Sequence, residues 1–275
     1  MRIAAVQMVS STRPAHNLER ARDLIAQAAA QGAELVGLPE NFAFMGHSDT
    51  DKLSLAEPPG HGPWQQALAQ AAREHRLWLI GGSLPLRTEQ AQRVTNTTLV
   101  FDPQGRCRAR YDKIHLFRYE EHGPEGHKLY DEAVVLRAGD QPVAVDLQSR
   151  QGVALRLGLS ICYDLRFPEL YRALMRPPCD LIAVPSAFTH TTGQAHWEVL
   201  LRARAIENQC YVMAPAQGGR HENGRRTFGH TLIIDPWGEV LARVEEGEGV
   251  ACAELDPARI AQVRQRLPAL AHRRL

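Results

Sequence analysis

Three residues of this sequence, a thiol, a carboxylate and an ammonium, each end an apolar run, and together they supply what acyl transfer from an amide needs. Cys162 follows the run Val153 to Ile161 and precedes Tyr163-Asp164-Leu165-Arg166-Phe167-Pro168-Glu169. A thiol delivered by a strand into a sharp polar turn is placed for reaction; one inside a strand is placed for packing. Glu40 closes the short run Leu35-Val36-Gly37-Leu38-Pro39, and Lys113 ends the alternating run Arg110-Tyr111-Asp112. Strand ends are where loops converge on sites.

Cleaving an amide takes a nucleophile, a proton shuttle to the leaving nitrogen and donors for the developing oxyanion. Glu40 can take the thiol proton, return it to the departing amine and then activate water against a thioester. Lys113 and the backbone N–H of Tyr163 can hold the oxyanion. The ammonium is also expected to lower the thiol pKa, since the thiolate is the reactive form. Taken singly, each residue has a blander reading: a small buried apolar cysteine, a glutamate capping a turn, a lysine on a solvated edge strand. It is their joint placement that points to chemistry.

Cys-His pairs are the commoner thiol hydrolases, so His115, His127, His190, His196 and His230 stay open as rivals on residue type alone. A metal site built from His190 and His196 lacks both the i, i+4 spacing of a helical pair and a nearby ligand cluster. Cys107, Cys179, Cys210 and Cys252 read as structural.

The elements that position these residues alternate short apolar runs with longer amphipathic stretches, the signature of an α/β layer architecture. Strands are expected over 2–8, 34–38, 77–81, 94–101, 106–113, 143–147, 153–161, 181–185, 210–214, 230–234, 239–244 and 249–254. Helices are expected over 16–31, 63–75, 168–176, 195–208 and 256–266, with Pro63 and Gly32 as start and stop signals. The segment from Arg118 to Arg137, rich in Glu, Gly and His, reads as a long functional loop.

A faint internal repeat organises this order. Glu34-Leu35-Val36-Gly37-Leu38-Pro39 is echoed by Asp180-Leu181-Ile182-Ala183-Val184-Pro185, and Thr98-Leu99-Val100-Phe101-Asp102-Pro103-Gln104-Gly105 by Thr231-Leu232-Ile233-Ile234-Asp235-Pro236-Trp237-Gly238. Asp-Pro-x-Gly is a turn with a mechanism: Pro presets φ and Gly accepts positive φ. Two related α/β halves follow, each a sheet edged by a hairpin. No linker separates them near residue 150, so a single domain over 1–275 is expected.

The chain has 275 residues, 44% of them hydrophobic, enough for a sizeable core. A formal charge of +1 with scattered arginines gives no footprint for nucleic acid. No apolar stretch is long enough to span a bilayer, and Met1 to Met8 reads as a strand rather than a leader, so a cytoplasmic protein without membrane contact is expected. Five widely spread cysteines without a C-x-x-C pair argue against a disulfide framework or structural zinc. Gly81-Gly82 and Gly218-Gly219 carry no phosphate-loop pattern, and no cofactor is called for.

Read together, the motifs resemble those of the nitrilase superfamily of carbon-nitrogen hydrolases. They are Leu38-Pro39-Glu40-Asn41, Tyr111-Asp112-Lys113-Ile114-His115-Leu116-Phe117 and Ser160-Ile161-Cys162-Tyr163-Asp164-Leu165-Arg166-Phe167-Pro168-Glu169. The resemblance runs nearly end to end. It implies a four-layer α-β-β-α sandwich of two pseudo-symmetric halves and a thioester acyl-enzyme mechanism without a catalytic histidine. It also implies a homodimer or larger assembly, and a second assisting glutamate that Glu132 fits by spacing. Ala138 stands where the family pattern has Pro, and the stretch after Leu116-Phe117 lacks the usual Asp.

Within the superfamily, residues 185–212 resemble the Nit-type amidases. Ala216-Gln217-Gly218-Gly219-Arg220-His221, Phe228-Gly229-His230 and Asp235-Pro236-Trp237-Gly238 are closer to the deaminated glutathione amidase branch than to the omega-amidases. That branch implies release of 2-oxoglutarate and cysteinylglycine, with an omega-amidase acting on 2-oxoglutaramate as the alternative and a catalytically silent binding or scaffold protein as the alternative of another class. A substrate with carboxylates at both ends calls for arginine, and Arg166, Arg202, Arg204 and Arg220 are available. Arg166 is assigned to substrate binding, with Phe188 and Thr189 of the 186–194 loop lining the acyl pocket. Ion pairs with Glu169 or Glu198 are the competing role for Arg166 and Arg202.

Overall fold

The computed structural model describes residues 1–123 and 126–274; side chains of 121–128 lie outside the described residues. In chain order the first half comprises β1 (Arg2–Gln7), α1 (Pro14–Ala30), β2 (Leu35–Gly37), the short α2 (Lys52–Leu55), α3 (Pro63–His75), β3 (Trp78–Ile80), β4 (Leu84–Arg87), β5 (Val94–Phe101) and β6 (Cys107–Asp112). A ribbon of β7 (Arg118–Gly123) and β8 (Gly126–Asp131) follows. The second half comprises β9 (Ala144–Gln148), β10 (Ala154–Leu159), α4 (Pro168–Ala173), β11 (Leu181–Ala183), α5 (His190–Asn208) and β12 (Tyr211–Ala214). It continues through β13 (Gly218–Arg220), β14 (Arg226–Phe228), β15 (Thr231–Ile234) and β16 (Val240–Val244). The chain then runs into β17 (Gly249–Glu254) and α6 (Pro257–Arg266).

Strand pairing shows the two halves directly. One sheet runs β17-β1-β2-β3-β5-β4, with β6 also on β5; the other runs β16-β15-β12-β11-β10-β9. β1, β2 and β3 pair in parallel, as do β10, β11 and β12. In each half an antiparallel strand lies outside the first of the three, β17 on β1 and β9 on β10. In each half the third parallel strand is followed by an antiparallel hairpin, β5–β6 or β15–β16, closed by the repeated Asp-Pro-x-Gly turn.

The period of two along β1 sorts its residues between layers. Ala4 and Val6 pack with Leu24, Ile25 and Ala28 of α1 and Leu68 and Ala72 of α3. Ile3 and Ala5 face the other way, into a core shared with Leu157, Leu159, Val212 and Ile233 of the second sheet. Trp197, Leu201 and Ala205 of α5 cover the far side of that sheet. The molecule is therefore layered helix, sheet, sheet, helix, as the repeat and the resemblance implied.

Two expectations need correction. Arg118 to Arg137 is no loop: β7 and β8 pair in register from Arg118↔Asp131 to Gly123↔Gly126, followed by a 3-10 turn over Glu132–Val134. Charged residues on both strands gave it no apolar alternation to read. Helix α5 begins at His190, five residues before the expected start, so most of the 186–194 stretch is helical. Gly193 disguised that turn. A Cβ there would come within 2.3 Å of Phe228, so the residue is small because β14 packs against the helix at that point. The sequence reading also passed over β4, β13 and β14.

Candidate active site

Glu40, Lys113, Cys162 and Glu132 converge, from four elements. Glu40 follows β2 and is almost wholly buried; Lys113 follows β6; Cys162 opens a 3-10 turn after β10; Glu132 opens the turn after β8. Each turn is sharp. Cys162 takes φ +48° and Asn41, next to Glu40, takes φ +56°. A left-handed backbone costs a non-glycine residue about 1–3 kcal/mol, more readily tolerated by Asn than by Cys. The Cys162 elbow is held from several sides: its N–H donates to the Pro185 carbonyl at 3.0 Å, and the Ile161 N–H to Asp164 Oδ2 at 2.9 Å.

Gly82 supplies the close approach beneath the Glu40 turn. At φ +57° its missing side chain leaves room for the Pro39 carbonyl, 2.2 Å from where a Cβ would stand.

Lys113 Nζ is the hub. It donates to Glu40 Oε1 at 3.0 Å and to Glu132 Oε2 and Oε1 at 2.8 and 3.1 Å. Burial works against its charge, but Glu132 and Glu40 outweigh burial and hold its pKa well above the ordinary lysine value. Glu132 is likewise opposed by burial, yet Lys113, Lys52 and the Phe117 N–H, donating at 2.8 Å, bring its pKa down. Glu40 is fixed on every side: Asn96 Nδ2 donates to Oε1 at 2.8 Å and the Ala187 N–H to Oε2 at 2.9 Å.

The thiol departs from expectation. Lys113 and the Ala187 N–H do lower the Cys162 pKa, but burial, then the negative charge of Glu40 and its hydrogen bond, push it well above the ordinary thiol value. The resting sulfur is a protonated thiol facing a carboxylate that can take its proton.

The turn that carries Cys162 is organised by the buried Asp164. Its Oδ2 accepts from the Tyr111 hydroxyl at 2.6 Å, and its Oδ1 from the His115 N–H and Nδ1–H at 3.0 and 2.7 Å. The motif around Lys113 is thereby bolted to the motif around Cys162. The Tyr163 N–H lies at the start of this turn, where a helical turn has no internal acceptor to offer.

Phe117, Cys162, Tyr163, Arg166, Ala187, Phe188, Thr189 and Thr192 line one small pocket of about 20 Å³. The Arg166 guanidinium stands 5.1 Å over the Phe188 ring and 5.9 Å over Tyr163, and Nη1 donates to His196 Nδ1 at 3.2 Å. Phe188, Thr189 and Arg166 are thus brought to Cys162. Arg202 and Arg204 are not: Arg204 donates to the Leu165 carbonyl at 2.7 and 3.1 Å, and Arg202 to that of Gly238 at 2.9 Å. Arg202 also lies 3.8 Å from Glu198, the competing ion-pair role.

The histidine rivals are engaged elsewhere. His115 is held by Asp164 and stacks on Phe167 at 3.7 Å, His196 accepts from Arg166, and His190 and His230 pack on Phe228. The side chain of His127 lies outside the described residues. Among the described residues, no group of three or more His, Cys, Asp or Glu is placed to hold a metal ion.

Sequence reading missed Asn96, Asp164 and the Ala187 N–H. Asn96 left a signal, since asparagine is disfavoured in a central strand and sits within the buried polar run 95–98 of β5. A backbone donor such as Ala187 leaves none.

The chain is 46% identical over 271 residues to a deaminated glutathione amidase of Synechocystis sp., covering 98% of this chain and 97% of the relative. The crystal structure of the Caenorhabditis elegans NitFhit protein superposes with a TM-score of 0.86 at 39% identity, covering 99% of this chain and 65% of that one. Saccharomyces cerevisiae Nit3, described as a member of branch 10 of the nitrilase superfamily, superposes with a TM-score of 0.85 at 31% identity, covering 100% and 97%. Residues 2–265 match the family profile described as Carbon-nitrogen hydrolase, and with a four-layer sandwich around a buried thiol flanked by two glutamates and a lysine, the chain belongs to that family.

Proposed function

We propose that this protein hydrolyses the amide bond of deaminated glutathione to 2-oxoglutarate and cysteinylglycine through a thioester on Cys162. The observation that carries the chemistry is Lys113 Nζ held between Glu40 and Glu132, 3.0 and 2.8 Å away, beside a thiol that keeps its proton.

In this reading Glu40 removes the thiol proton as sulfur attacks the amide carbonyl. The oxyanion forms against the Lys113 ammonium and the Tyr163 N–H. Collapse breaks the carbon-nitrogen bond, and protonated Glu40 passes its proton to the leaving amine. Glu40 then takes a proton from water as the oxygen attacks the thioester carbonyl. The second collapse frees the acid, and the Cys162 thiolate recovers the proton from Glu40. Glu132 acts by holding Lys113 charged and in place. Burial of the thiol keeps it inert until an amide displaces water and brings the carbonyl into reach.

The substrate assignment is supported by the name and the high coverage of the Synechocystis relative, and by Arg166 beside Cys162, a fork suited to a carboxylate. It is tested by measuring 2-oxoglutarate release from deaminated glutathione and from 2-oxoglutaramate as specificity constants. A large preference for the tripeptide analogue supports the reading, and preference for the small amide moves the activity to that of an omega-amidase.

The same reading has the chain as a cytoplasmic homodimer or larger oligomer. Five unpaired cysteines suit a reducing compartment, and among the described residues no helix is long and apolar enough to cross a membrane. Exposed Val199 and Ile206 on α5, with Trp237 on the adjoining hairpin turn, offer an apolar face for self-association.

A further inference from the structure

A second, far larger cleft opens beside the site. Its volume is about 480 Å³, against about 20 Å³ for the pocket at Cys162. Asn41, which follows Glu40, lies in its wall, as do Lys52, Tyr130, Asn223 and Arg225. The two spaces meet across one aromatic contact: the Tyr130 ring lies 6.3 Å from Phe117, which lines the Cys162 pocket. Lys52 is close enough for its charge to act on Glu132.

The charges of the cleft are unevenly satisfied. Lys52 Nζ donates to Asp49 at 3.1 Å, so these two largely cancel. Arg225 has no carboxylate or carbonyl partner for its guanidinium among the described residues. It stands 5.7 Å over Tyr130, reaches only the Met45 sulfur at 4.0 Å, and leaves its buried Nε without an acceptor. An unmet donor on a cation is costly, and a planar fork recovers most from a carboxylate. The loop that carries Arg225 is fixed for the purpose: Asn223 Oδ1 accepts the Arg225 N–H at 2.9 Å while Asn223 Nδ2 donates to Met45 O at 3.3 Å, tying the two walls together.

We infer that this cleft receives the leaving half of the substrate and that Arg225 binds its terminal carboxylate. The inference rests on the amidase reading above and adds to it the recognition of the amine side. The pocket at Cys162 is far too small to hold a tripeptide-sized amide whole, and the cleft is the roomy space that adjoins it through Phe117 and Tyr130. The two residues beyond the scissile nitrogen reach roughly 7 Å when extended, which carries the C-terminal carboxylate well away from the thiol.

The test compares deaminated glutathione with its C-terminal carboxamide. Calorimetric titration into Cys162→Ala protein reads binding without turnover: the free acid is expected to bind at least tenfold more tightly than the carboxamide, and the difference to vanish in Cys162→Ala/Arg225→Gln. Equal binding of both ligands to Cys162→Ala, or a preference that survives Arg225→Gln, overturns the inference. In turnover, Arg225→Gln should erase the kcat/KM preference for the free acid, and Arg225→Lys, which keeps the charge but not the fork, should retain part of it. Failure of the amidase reading shows separately, as absence of 2-oxoglutarate release by the unaltered protein from either compound.

Discussion

Glu40 and Ala187, 147 residues apart, are joined by a hydrogen bond of 2.9 Å from the Ala187 N–H to Glu40 Oε2. The carboxylate belongs to the first sheet and the amide to the loop that leaves the second. The carboxylate proposed as general base is therefore aimed by the other half of the molecule, and Glu40 keeps its orientation only while the two sheets keep their packing. The same bond orients Oε2 while Oε1 accepts from Lys113 and Asn96.

Glu40→Gln should split two properties that usually move together. Amide turnover is expected to fall by roughly 10²–10⁴-fold, the range for loss of a general base. The thiol pKa should move down, because Glu40 raises it and Lys113, which lowers it, remains. The pH profile of alkylation at Cys162, followed by mass spectrometry, should shift to lower pH in the variant; an unchanged or higher midpoint would contradict the electrostatics.

Glu132→Ala is expected to lower kcat by about 10²–10³-fold, comparable to losing an oxyanion donor, with KM little changed. The ammonium would then answer to Glu40 alone, and the Phe117 N–H would lose its acceptor. Glu132→Gln keeps an oxygen for Phe117 and should fall between the two. Steady-state kinetics that show a KM effect alone would assign Glu132 to substrate binding instead.

Gly193→Ala should destabilise the protein although it improves helix propensity. The propensity gain is roughly 1 kcal/mol, whereas overpacking against Phe228 costs about 1–3 kcal/mol. Phe228 donates its N–H to the Phe188 carbonyl at 2.9 Å, so the strain is passed to the pocket wall. A lowered Tm with a raised KM is the expected pair of results; a raised Tm would show that Phe228 yields freely.

Acid should erode stability through buried histidine. His221 donates Nδ1–H to the Ser10 carbonyl at 2.9 Å and accepts from Thr227 at Nε2, and burial, aided by Arg225 though opposed by the Ser10 bond, lowers its pKa below 6.5. The unfolded chain then takes up the proton first. Stability from this residue is full above pH 6.5 and declines as pH falls from there towards the folded value. Urea unfolding between pH 5 and 8 should show that slope, and His221→Gln should flatten it.

Much of this site is legible in the amino-acid sequence, for a physical reason. Glu40, Lys113 and Cys162 each end a hydrophobic run, so their strands mark them, and Leu35-Val36-Gly37 and Leu181-Ile182-Ala183 mark the two halves because both are central parallel strands buried on both faces. What escapes has no such local mark. The β7–β8 ribbon is rich in charged residues and carries no apolar alternation in its sequence, the first turn of α5 is masked by a glycine whose reason is Phe228, and the acceptor of the Ala187 N–H lies in the other half of the chain. The thiol's high pKa escapes for the same reason, since the depth of burial decides whether Lys113 or Glu40 wins.

Strand order sets a schedule for folding on the ribosome. β17 lies against β1, with Arg2 opposite Glu254, and the Met1 amino group donates to the Leu255 carbonyl at 3.0 Å. Those partners are some 252 residues apart, so at about 5–20 residues per second the outer edge of β1 waits roughly 13–50 s for its mate. An open strand edge over that interval is a template for pairing with another chain. Nascent protein, rather than mature enzyme, is accordingly the form most exposed to aggregation and most in need of a chaperone.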